Sequence, residues 1–144
     1  MNRYIAMKRR HQEEVHALPL GFAYSNQQFK EMMENWGLDP VKDTDKIYRL
    51  PAGGFVQKKD HALLHETLDR HDAELKAAIA ADVTGEEFVY GMFLAELDDH
   101  EYGYTRDMEE TLDALGYTAA EILGDPRLKR GIEKAATEIC SRDD

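Results

Sequence analysis

The chain has 144 residues, with 18 Lys and Arg against 29 Asp and Glu, six His, one Cys and a formal charge of −11. That length suits one domain, and 42% hydrophobic with 33% charged residues describes a globular chain rather than a disordered or fibrous one. No apolar run approaches the roughly 20 residues of a membrane span, no secretory signal follows the basic start at Arg3, Lys8, Arg9 and Arg10, and the lone Cys140 fits a reducing cytoplasm rather than an internal disulfide.

Tyr4, Met7, His11, Val15 and Leu18 fall at helical spacing and predict an amphipathic helix over 3–17, ended by Pro19. Leu20–Tyr24 reads as a short strand. Ser25 and Gln28 have capping-box spacing, Phe29, Met32, Met33 and Trp36 follow at i, i+3, i+4, i+7, and Gly37 stands where a helix-ending glycine belongs. Residues 46–50 and 54–58 are β-prone runs joined by Pro51-Ala52-Gly53, which predicts a hairpin. Sheet and second helix thus occupy 20–58.

From Asp60 the pattern is helical. Asp60 is the expected cap of a helix from His61 to Ala81, with a stripe of Leu64, Leu68, His71, Leu75, Ala78 and Ile79. Thr84 and Glu87 have the spacing of a second capping box, opening a helix to residue 99 that is apolar on most faces and so expected at the centre of the core. Thr105 is the expected cap of a short helix stopped by Gly116. Thr118 and Glu121 open another, and Asp125-Pro126 begins a C-terminal helix over 126–141. The expected fold class is α+β in a single domain: a small antiparallel sheet of about three strands packed with a predominantly helical C-terminal half.

Charge is unevenly spread. Residues 1–59 carry ten basic and seven acidic side chains, residues 60–125 three basic and eighteen acidic, and residues 126–144 five basic and four acidic. The −15 middle repels phosphate backbones, which disfavours nucleic-acid binding there, and it attracts basic protein surfaces.

Glu96 and His100 stand i, i+4 on the most apolar helix. A carboxylate removed from water needs a partner, so the two form a candidate buried polar pair. Such a pair could tune a general base or begin a metal site, but fastening the helix end is the stronger reading. His61, His65 and Asp69 repeat at i, i+4 and offer a divalent-metal face, although the zinc-protease pattern is absent because residue 62 is alanine. His71, inside the leucine stripe, reads as a core histidine. Asp99, Tyr102 and Tyr104 are candidates for a pocket-lining loop. Arg127, Lys129, Arg130 and Lys134 follow two short helices, as in a helix-turn-helix. No nucleophile elbow or phosphate loop is present, and no catalytic residue or cofactor is assigned.

The stretches Leu20-Gly21-Phe22-Ala23-Tyr24-Ser25, Asp43-Thr44-Asp45-Lys46-Ile47-Tyr48, Gly53-Gly54-Phe55, Ala80-Ala81-Asp82 with Thr84-Gly85, and His100-Glu101-Tyr102-Gly103-Tyr104-Thr105 resemble a bacterial family of unknown function found in phages and integrated mobile elements. The resemblance runs from the first helix to Ala136. It implies a host-interaction setting and no mechanism. Three functions follow in order of preference. The first is a non-enzymatic interaction protein engaging a basic partner, in one form a nucleic-acid mimic that inhibits a host defence system. The second is a metal-binding domain or metal-dependent enzyme built on the helices at 61–81 and 85–100. The third is a DNA-binding protein using the C-terminal helices. Oligomeric state is left open.

Overall fold

The computed structural model describes residues 2–142. Its elements are α1 (Arg3–His16), β1 (Leu20–Phe22), α2 (Asn26–Asn35), β2 (Ile47–Arg49), β3 (Gly54–Gln57), α3 (His61–Ala81), α4 (Phe88–Asp99), α5 (Tyr102–Thr105), α6 (Glu109–Leu115), α7 (Ala119–Gly124) and α8 (Pro126–Ser141). Short 3-10 turns occupy Thr44–Lys46, Pro51–Gly53 and Lys58–Asp60. The fold is α+β, with one small antiparallel sheet and a helical C-terminal half. Among the described residues no helix is long and apolar enough to cross a membrane. The chain gathers into two units. One is His11–Asp72, and the other combines the described residues up to Arg10 with those from Ala73 onward.

In the His11–Asp72 unit the strands lie in the order β1-β3-β2, both neighbours antiparallel to β3. Val56 is paired with Leu20 on one side and Tyr48 on the other. Side chains alternate across a sheet, so Phe55 faces opposite to Val56. Phe55 packs with Met32 and Met33 of α2, flanked by Phe29, Trp36 and Ile47. Ser25 caps α2 by accepting from the Gln28 backbone. The Gln28 side chain, however, accepts from the N–H of Tyr24 rather than that of Ser25, one residue outside the usual box. At the other end Gly37 has φ +73, Leu38 N–H bonds Met33 O and Gly37 N–H bonds Glu34 O. This double bond pattern satisfies the last carbonyls of the helix. Asp60 does not begin α3 as a separate cap, because its 3-10 turn runs directly into the helix. The buried stripe of α3 here is Leu64, Thr67 and His71, while Leu68 is exposed. Thr67 fits that environment because its hydroxyl donates to Leu63 O.

In the other unit α4 is the centre. Phe88, Val89, Met92, Phe93 and Leu97 are all buried, as expected of a helix apolar on most faces. α8 lays Leu128, Ile132, Ala135 and Ile139 against this core. Asp125 caps α8 through the N–H groups of Arg127 and Leu128, and Thr118 with Glu121 makes a complete capping box on α7. Two other expected caps are absent. Thr105 lies inside the one-turn helix α5, and its hydroxyl accepts from Asp107 N–H, while Asp107 accepts from Glu109 N–H at the start of α6. Thr84 does not cap α4. The buried Asp82 carboxylate does, accepting from Gly85, Glu87 and Val89 N–H at 2.9–3.1 Å. One anion thereby satisfies three amides at the positive end of the helix.

Candidate functional site

The most heavily bonded buried acid outside that cap is Glu96, in the same unit. Helical spacing puts Tyr4 and Lys8 on one face of α1, and both reach it. Tyr4 Oη donates to Glu96 Oε1 at 2.5 Å and Lys8 Nζ to the same oxygen at 2.6 Å. Lys8 Nζ also lies 3.7 Å from Asp99 Oδ2. Burial pushes the Glu96 carboxyl upward, but the bonds from Lys8 and Tyr4 and the positive charge of Lys8 outweigh it, and its pKa ends below the ordinary value of 4.5. Burial and the neighbouring carboxylate push the Tyr4 phenol strongly upward. A general base working near neutrality needs a raised carboxyl pKa. This site does the opposite: it holds an anion rather than exchanging a proton.

The pairing of Glu96 with His100 takes a different form from the expected one. His100 Nδ1 lies 2.7 Å from the Glu96 carbonyl oxygen and 3.8 Å from its carboxylate. A carbonyl can only accept, so Nδ1 carries the hydrogen. Buried Thr111 donates to the same carbonyl at 3.3 Å. His100 and Thr111 therefore fasten the end of α4, while α1 neutralises the carboxylate.

Glu96→Ala leaves the buried Tyr4 hydroxyl without its acceptor and Lys8 with only the more distant Asp99 as counter-charge. A loss of about 2–3 kcal/mol is expected in urea denaturation. Because the folded pKa lies below 4.5, this contribution is present above about pH 4.5 and is lost as pH falls through the folded value. The stability difference between wild type and variant should therefore narrow in acid. A difference that widens there would contradict this role for the anion.

In the His11–Asp72 unit, buried His71 stacks on His11 with ring centroids 3.8 Å apart, and its Nε2 lies 3.2 Å from Glu14. Arg70 Nη2 donates to the same Glu14 oxygen at 2.5 Å. Hydrogen bonds from Arg70 and His71 hold the Glu14 carboxyl down at about 2. His71 is thus a core histidine with a defined acidic partner. His61 and His65 approach each other directly, Nε2 to Nε2 at 3.0 Å. Asp69 does not join them: among the described residues no three His, Cys, Asp or Glu side chains converge as metal ligands.

Asp99, Tyr102 and Tyr104 do not line one wall. Tyr102 turns into the core within α5, Tyr104 is 91% exposed, and the Asp99 side chain projects beside Lys8. The cations expected on a DNA-reading helix are mostly engaged elsewhere. Arg127 donates to Ile79 O and Asp82 O, Arg130 to Thr84 O, and Lys134 to Glu86 O. These contacts satisfy carbonyls at the end of α3 and in the following loop, and of the four cations Lys129 is exposed and makes no such bond. A shallow cleft of about 450 Å³ lies beside Arg3, Phe88 and Leu94, and a second of about 400 Å³ beside Arg130 and Lys134. Both clefts share Glu86 and Tyr90.

Tyr4, Lys8 and Asp82 are the residues that sequence reasoning missed. The i, i+4 spacing of Tyr4 and Lys8 was visible, but their partner lies about 90 positions away. The model of a family of unknown function, DUF7659, matches residues 3–138, and the chain belongs to that family. No curated protein and no solved structure matches it.

Proposed function

We propose that this DUF7659 member is a non-catalytic interaction protein that presents the segment from Asp98 to Gly124 to a basic protein surface. The observation that carries this reading is the composition and exposure of that segment. It contains eight acidic residues and one basic residue, Arg106, and Tyr104 and Leu123 stand exposed within it. Among the described residues no cation pairs with the exposed carboxylates of Glu101, Glu109, Glu110 or Asp113. Unneutralised charge steers a partner of opposite sign, and an exposed aromatic and an exposed leucine supply apolar area once it has docked.

Glu96 and Asp82, by contrast, are committed inside the fold and add little to the outward field. The mobile-element setting implied by the motif resemblance suggests a finer form of this proposal, in which the acidic segment stands in for nucleic acid in the channel of a host defence protein. Capture from host lysate at low and high salt tests the broader claim. A partner retained at low salt and released as salt rises is expected, since the Debye length shortens from roughly 30 Å at 0.01 M to roughly 3 Å at 1 M. Retention of no partner at low ionic strength overturns it.

A further inference from the structure

The histidine pair at the start of α3 is independent of the acidic segment. His61 and His65 sit one turn apart on the helix face next to β2, and their Nε2 atoms are 3.0 Å apart. At that separation one Nε2 must carry a hydrogen and donate while the other accepts through its lone pair. The ring of Tyr48 lies 4.5 Å from that of His61, which gives the His61 ring a packed neighbour. The two rings stand at 77° to each other, nearly edge to face.

The geometry points to a two-imidazole chelate for a late first-row divalent cation, copper(II) or nickel(II), bound between His61 Nε2 and His65 Nε2. A metal about 2.1 Å from each nitrogen and bound by both would see them at an angle of about 90°, because they are 3.0 Å apart. That angle belongs to the tetragonal and octahedral sites of copper(II) and nickel(II). Tetrahedral zinc at the same bond length would need the nitrogens roughly 3.4 Å apart. On binding, the donating ring gives up its Nε2 hydrogen and keeps one on Nδ1, so both Nε2 lone pairs face the metal. Water fills the remaining positions.

The test is titration of the untagged full chain with copper(II) chloride in a non-chelating buffer, followed by calorimetry and by the visible ligand-field band. One copper per chain is expected at micromolar affinity. His61→Ala and His65→Ala should each weaken it by at least about tenfold, the cost of losing one of two donors. His16→Ala and His100→Ala should leave it unchanged. His65 is exposed, so its variant should melt at the wild-type temperature. The proposal is overturned if no copper binds at micromolar concentration, or if binding survives His65→Ala unchanged. It is also overturned if His16→Ala or His100→Ala weakens binding as much.

Discussion

Asp82→Ala is expected to lower the unfolding free energy by about 3–5 kcal/mol, measured as a shift in the urea midpoint at constant slope. The carboxylate is 4% exposed and accepts backbone N–H bonds from Gly85, Glu87 and Val89. Alanine leaves three amides at the head of α4 without acceptors, two of them deep enough that water cannot replace the anion. Burial raises the Asp82 carboxyl, but the bonds from Val89, Gly85 and Glu87 together outweigh it, leaving its pKa below the ordinary 3.8. A depressed carboxyl contributes stability that is complete above the unfolded pKa and fades as pH falls through the folded one. The wild-type protein should therefore lose melting temperature below about pH 4 more steeply than Asp82→Ala. Equal slopes would mean that the anion is not what caps α4.

Gly85→Ala should cost about as much, 3–5 kcal/mol in the same assay, by a different route. Gly85 has φ +83, and an added Cβ would lie 2.0 Å from Arg127 O. The Cβ is fixed rigidly to its own backbone and its neighbour is backbone, so the Asp82–Glu87 loop would have to separate from α8. Gly37→Ala is the control. Gly37 shares the positive φ, at +73, but nothing lies within 4 Å of its added Cβ. It should lose only the local strain of about 1–2 kcal/mol. Similar losses at the two positions would show that close approach to α8 contributes nothing.

The sheet, the two units' main helices and the central place of α4 were legible from periodicity and turn residues. Where local chemistry decides a boundary, the local sequence suffices: Thr118 with Glu121 and Asp125 with Pro126 form the caps their spacing implies. Departures arise where a competing neighbour or an extra turn displaces the expected residue. Thr84 and Glu87 have capping spacing, but Asp82 takes the Glu87 amide and Thr84 accepts from Glu86 N–H instead. Thr105 falls in an extra helical turn that four residues with two tyrosines do not advertise. Thr67 displaces Leu68 from the buried face of α3 because a bond to Leu63 O makes its hydroxyl tolerable there. The partners of Glu96 were invisible for a simpler reason: no local pattern relates α1 to a residue about 90 positions later.

The same geometry sorts the acidic residues by role. Asp82 and Glu96 are interior anions, Glu74 is paired with Arg10 and Asp98 with Arg142, while α6 carries Glu109, Glu110 and Asp113 outward. The proposed interaction rests on that last group. Its most direct test is the affinity of the captured partner for wild type and for the variant Glu109→Lys/Glu110→Lys/Asp113→Lys, measured at one low salt concentration. The proposal predicts at least about a tenfold loss with the melting temperature nearly unchanged. Affinity within about twofold of wild type in a variant that melts normally would contradict it.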